Sequence, residues 1–267
     1  MAEQKNEVVA RTFDDRLSNA LSAEALALPK DFNKTRFFQN AIALLQNNEA
    51  LRKCNQNQLM AGMMRAAYLG LDFANGEAHL VPFGNTVTFI PGYKGLRKFV
   101  MKYSVKPLKE LKADVIRKGD EIDYGIKDNK AYINFHPKAL STEEVVGAVA
   151  VAYYENGDVS YEVMNMDELN KVRNASKCGR SGPWVTWTNE MYKKTVISRL
   201  AKSIPTDFEN VEMQSAWNEA QTDEFNNGPI SSGEVVNAFA PKTEPEDIHV
   251  EAVDVTPEDI PMVENFK

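Results

Sequence analysis

Cysteine is scarce in this chain: Cys54 and Cys178 are the only two, far apart and in no C-x-x-C arrangement. A disulfide framework and a thiolate zinc site are thereby disfavoured, and both residues are expected as free thiols. The three histidines, His79, His136 and His249, have no ligand partners near them in sequence, so neither a metal nor another cofactor is expected. No run of eighteen apolar residues occurs, and Met1 to Arg11 is polar where an export signal would be apolar. The reading is a protein outside the membrane and the secretory route, located in the cytoplasm. A G-x-x-x-x-G-K-[ST] phosphate loop is missing, which argues against a nucleotide-driven motor or recombinase. There is no G-x-S-x-G element, and Cys178 has no histidine near it in sequence. Asp120, Glu121 and Asp123 cluster beside a hairpin without a second converging set, and are not read as a two-metal nuclease site. No enzyme is expected.

Positive charge is also missing from one end. From Thr206 to Lys267, fifteen acids face only Lys242 and Lys267, a net of −13; with −7 overall, residues 1 to 205 carry +6. A basic body with an acidic end is a recurrent sign of nucleic-acid contact, although solubility tails produce the same pattern. The end is read either as a solvated extension or as a competitor for the basic surface. From about Glu224 it is rich in Asp, Glu, Pro, Ser and Asn, and disorder is expected. No role is assigned to its Ile260-Pro261-Met262-Val263 cluster.

Before that end, the patterning suggests helices first and hairpins second. An Ala/Leu-rich segment up to Pro29 reads as a helix, packed on its own body or on a neighbour. Apolar residues recur at helical spacing over 35–45 and 57–69, with Gly70 as a left-handed cap and Met60, Met63 and Met64 as core filler. Val105 to Lys118 alternates as a half-exposed strand, and Asp128-Asn129 divides two further strands. Val145 to Tyr154 is a near-continuous apolar run, read as a buried strand, and Asn156-Gly157 turns it into another. Helical character resumes at Met166 with Asp167 as N-terminal acid or cap, and a long helix is expected over Trp184–Ile204. Consecutive hairpins flanked by helices give an α+β class with an antiparallel sheet. The expected divisions are 1–34, a helical arm; 35–222, the core; and 223–267, the acidic tail.

Two basic helices carry the functional reading. After Pro91-Gly92, residues Lys94, Arg97, Lys98 and Lys102 share an arc of about 140° at 100° per residue. Tyr93, Leu96, Phe99, Val100 and Tyr103 fill the opposite arc, so the apolar side packs and the basic side faces out. Clustered cations repel one another by a few tenths of a kcal/mol per pair; a polyanion offsets that. In the second region the glycine-bearing loop Lys177 to Pro183, with Arg180, leads into the 184–204 helix. There Trp184, Trp187, Lys194, Arg199 and Lys202 lie outside the core side formed by Val196, Ile197, Leu200, Ala201 and Ile204. Lys193 projects among the apolar residues, where it snorkels, pairs with an acid or reaches a ligand, the ligand being preferred. Cations interleaved with rings are the expected signature of sequence-tolerant single-strand binding: the charges follow the backbone and rings stack on bases, although for Tyr93, Trp184 and Trp187 the structural role is preferred, since indoles at a helix start are more often core.

The run His79-Leu80-Val81-Pro82-Phe83-Gly84-Asn85, then Ile90-Pro91-Gly92-Tyr93-Lys94-Gly95-Leu96, then Gly182-Pro183-Trp184-Val185-Thr186 with Lys193-Lys194-Thr195 and Arg199-Leu200, resembles the RecT family of phage and prophage single-strand annealing proteins over roughly residues 40 to 205. The resemblance implies a curved antiparallel sheet with a helix across it, and ATP-independent pairing of complementary strands by rings or helical filaments. As partners it implies single-stranded DNA, the annealed duplex, further copies of the chain, a phage 5′-to-3′ exonuclease and a host single-strand-binding protein. Charge and resemblance together nominate Tyr93, Lys94, Arg97, Lys98, Lys102, Lys177, Arg180, Trp184, Trp187, Lys193, Lys194, Arg199 and Lys202 as DNA-binding residues.

Overall fold

The computed structural model of the protein describes residues 2–176, 179–180 and 183–226. Lys177, Cys178, Gly182, His249 and the expected tail beyond 226 lie outside the described residues.

The chain begins with four helices: α1 (Ala2–Ala23), α2 (Lys34–Gln46), α3 (Glu49–Arg52) and α4 (Gln56–Tyr68). Asn33, Asn48 and Asn55 cap α2, α3 and α4, each side-chain oxygen accepting from a backbone N–H in the first turn. Helix α1 buries Phe13, Leu17 and Leu21 against the chain's own core, and Arg16 donates to Asn57 on α4. α4 is buried nearly throughout, with Leu59, Met63, Met64, Ala66 and Ala67 inside. Gly70, at φ +65°, turns the chain away after it.

A hairpin follows, β1 (Ala78–Phe83) with β2 (Thr86–Pro91), and leads through Gly92 into α5 (Tyr93–Tyr103). The main sheet is antiparallel, with β6 (Val145–Tyr154) between β3 (Leu108–Arg117) and β7 (Val159–Asn165). Alternation along β6 explains how one strand serves two cores. Ala148, Ala150 and Ala152 face the helices, where small side chains admit close packing, while Val149 and Val151 join Ile116 in a second cluster. That outer cluster is covered by Ile122, Ile133 and Phe135 of a separate hairpin, β4 (Glu121–Lys127) and β5 (Lys130–His136). Asp128 and Asn129, both at positive φ, form its turn. The nearby carboxylates serve this hairpin: Asp120 accepts from the backbone N–H groups of Arg117 and Lys138, and Asp123 from the Tyr132 hydroxyl.

The last helices are α6 (Met166–Ala175), α7 (Pro183–Thr186), α8 (Thr188–Ser203) and α9 (Val211–Asn226). One expectation is corrected here, that of a single helix over 184–204. The cap of α6 is Asn165, which forms a capping box with Glu168, and Asp167 takes the first of the two roles expected for it, an acid in the first turn. The 184–204 segment is two helices, broken at Trp187, where the Thr188 hydroxyl donates to the Trp184 carbonyl and competes with the backbone ladder. α9 carries no expectation from sequence, yet it puts Met213, Ala216, Trp217 and Ala220 into the main core. α8 lies across the sheet and also packs on α5. Because it is enclosed by both, even Thr195 and Ser198 are buried on it.

Candidate nucleic-acid interface

Two glycines seat α5 against the turn before β1. The Gly92 N–H donates to the Glu77 carbonyl at 2.8 Å. A Cβ at Gly92 would stand 2.3 Å from the Gly76 carbonyl oxygen and 3.0 Å from His79 Nε2. At Gly95 it would stand 2.0 Å from the Glu77 carbonyl oxygen. Only a bare backbone allows this approach. Leu96, Phe99, Val100 and Tyr103 are buried, Tyr93 is half-buried against the same core, and Lys94, Arg97, Lys98 and Lys102 are exposed, as the angular count indicates.

These four cations are electrostatically unequal. Lys98 Nζ donates to Glu77 Oε2 at 2.7 Å and to the Gly70 carbonyl at 2.8 Å. Lys102 pairs with Asp31. Lys94 and Arg97 have no ion pair among the described residues, and they lie one turn apart at the start of the helix. Gly92 offers no side-chain cap there, so the partial positive charge of the helix N-terminus adds to theirs.

His79 belongs to the same end of α5. His79 is exposed on β1 with its Nε2 close to Gly92; desolvation, and then the Lys194 ammonium, hold its pKa below the ordinary histidine value. The Lys194 ammonium of α8 thus acts electrostatically on an imidazole that lies at the start of α5. Sequence reasoning passed over His79 because it looked for metal partners; the available signal was its place at the head of the His79–Asn85 run.

The remaining candidates divide by environment. Arg199 is held between Glu162 and Glu168, each at 3.2 Å, and fastens α8 to β7 and α6. Lys193 pairs with Glu190 on its own helix at 2.6 Å, so the acid-partner alternative holds in this structure. Lys194 and Lys202 are half-buried. Arg180 is exposed beside Gly179, whose carbonyl accepts from Arg173 Nε at 2.8 Å, so the described part of the loop is tied to the end of α6. Trp184 is buried edge-on against Tyr192, at 6.2 Å and 63°, and its ring is covered. Trp187 is the reverse: at the helix break it is 67 % exposed, with Val185 also exposed. Among the described residues no group of His, Cys, Asp and Glu could hold a metal, and no helix is long and apolar enough to cross a membrane.

A family model for the RecT family matches residues 35–232. The chain is 32 % identical to Protein RecT of Escherichia coli (strain K12) over 195 residues, covering 69 % of this chain and 71 % of that one. It is also 23 % identical over 241 residues to the uncharacterized protein YqaK of Bacillus subtilis (strain 168), covering 85 % of this chain and 83 % of that protein. The family match takes in the hairpin, α5, the main sheet and α8, the elements that place Lys94, Arg97, His79 and Lys194. The chain belongs to the RecT family.

Proposed function

We propose that the protein binds single-stranded DNA through its phosphates and anneals it to a complementary strand without ATP, as befits a family of recombination and annealing proteins. The observation that carries this reading is the pair Lys94 and Arg97, without an ion pair among the described residues, on a helix seated by two glycines, with His79, on which the Lys194 charge acts, at its start. Phosphate contacts of this kind hold a strand regardless of sequence. Exposed base edges then leave register to pairing. Each matched step contributes about 1.4 kcal/mol, so about five steps supply roughly 7 kcal/mol and trap a correct encounter. One subunit spans few nucleotides, and a ring or helical filament sums the weak contacts of many. Arg180, Trp187, Lys193 and Lys202 extend the surface in this reading. Phage or prophage recombination in the bacterial cytoplasm, beside a 5′-to-3′ exonuclease and the host single-strand-binding protein, is the setting it implies.

The test mixes two labelled complementary oligonucleotides with the protein and no ATP. Faster duplex formation is expected, with a salt-sensitive affinity for either strand. Slower duplex formation would mark a strand-protecting protein and overturn the annealing reading.

A further inference from the structure

A cavity of about 160 Å³ opens between the 29–33 turn and the C-terminal half of α5, with Arg36, Lys98, Lys102, Asp31, Asp72 and Tyr103 among its lining. Two of its cations have fixed partners. Asp72, which pairs with Arg36 at 3.1 Å, is 13 % exposed and also accepts from Asn40 and the Ala74 N–H. Glu77, on Lys98, is 12 % exposed and accepts from the Asp72 N–H. Lys102 differs, since the Asp31 carboxylate it holds is 73 % exposed. Beside it lies an unspent donor: the Tyr103 hydroxyl is buried in a residue only 7 % exposed, and the polar group acting on it, the Lys102 ammonium, is itself a donor and offers its proton no acceptor. The Lys102 ammonium stands 5.1 Å from the centroid of that ring.

We propose that this cavity is a phosphate subsite, occupied in the free protein by the Asp31 carboxylate as a stand-in anion, and that a DNA phosphate displaces Asp31 to accept from both Lys102 and the Tyr103 hydroxyl. The proposal rests on the reading of α5 as a DNA-contacting helix. A carboxylate on the 29–33 turn satisfies the ammonium and leaves the hydroxyl proton without an acceptor. A tetrahedral phosphate has oxygens for both donors, and charge-assisted bonds of this type are the stronger ones. The phosphate is either an internal diester of a bound strand or a terminal monoester.

The test measures the anisotropy of labelled oligothymidylates carrying a 5′-phosphate, a 3′-phosphate or neither, at one salt concentration. Asp31→Asn removes the competing charge and is expected to tighten binding about two- to fivefold, the range of an exposed ion pair. Adding Tyr103→Phe to that change abolishes the gain without lowering Tm, because a buried hydroxyl whose proton has no acceptor is what it deletes. Tightening confined to one phosphorylated end assigns the site to a terminal monoester; equal tightening for all three assigns it to a diester. Glu49→Gln, which alters net charge equally on α3, is the control and leaves affinity unchanged. The subsite is overturned if Asp31→Asn has no more effect than Glu49→Gln, or if the added Tyr103→Phe leaves the gain intact. Lys94→Ala and Arg97→Ala separate the two ideas. If they weaken binding while Asp31→Asn does nothing, the subsite alone fails; if none of these changes alters binding, the reading of α5 fails with it.

Discussion

Trp217 lies against Phe99 with ring centroids 4.3 Å apart and planes within 16°. This stack joins α9 to the buried side of the helix whose other side carries Lys94 and Arg97, and Arg65 of α4 pairs with Glu219 close by. Trp217→Ala should therefore lower stability by about 3–5 kcal/mol, the usual range for emptying a large aromatic site. Urea denaturation measures it. A loss below about 1 kcal/mol would show that α9 is not part of the core.

The unequal cations predict unequal mutants. Lys94→Ala and Arg97→Ala should each reduce the salt dependence of oligonucleotide affinity, by about 0.7 in the slope of log K against log salt for each phosphate that is no longer neutralised. Thermal stability should not change. Arg199→Ala should do the opposite, leaving the slope intact while lowering stability by up to about 1 kcal/mol, because its guanidinium is half exposed between Glu162 and Glu168.

The depressed pKa of His79 gives a pH dependence. As pH falls, the unfolded chain takes up this proton before the folded one. The group's contribution to stability is complete above about pH 6.5 and is lost as pH drops through the lowered folded value. A phosphate beside the imidazole acts in the other direction, favouring the charged ring. Binding should then take up a proton, with affinity rising as pH is lowered from about 7.5 to about 5.5, and His79→Gln should flatten the profile. Identical profiles for the two proteins would remove His79 from the interface.

The two tryptophans of the 184–187 segment should separate cleanly. Trp184→Ala opens the core beside Tyr192 and should lower Tm. Trp187→Ala touches an exposed ring and should leave Tm unaltered while weakening oligonucleotide affinity by about 1–3 kcal/mol if that ring stacks on a base. Paired melting and titration curves decide it; unaltered affinity would remove Trp187 from the DNA surface.

Much of this was legible before coordinates, for local reasons. Val145–Tyr154 reads as a buried strand because its apolar run is unbroken, and the basic arc of α5 follows from 100° steps alone. α9 was illegible because Met213, Ala216, Trp217 and Ala220 are thinly spread among polar and acidic residues, where they merge with the acidic end. Which cations stay unpaired was illegible for another reason. Lys98 meets Glu77 across 21 positions and Lys102 meets Asp31 across 71, and no spacing rule reaches that far. Sequence indicated a charged ridge; tertiary packing decided which half of it is neutralised.

The bare backbone at Gly95 has a consequence for the encounter between strands. With the Glu77 carbonyl pressed where a methyl group would otherwise stand, α5 lies backbone to backbone on the turn before β1. In the proposed binding, Lys94 and Arg97 spring from a backbone seated by that contact, and little backbone order would have to be created at each touch. Under the annealing proposed above, trial pairings would be made and abandoned quickly, with discrimination between matched and unmatched partners left to the bases themselves.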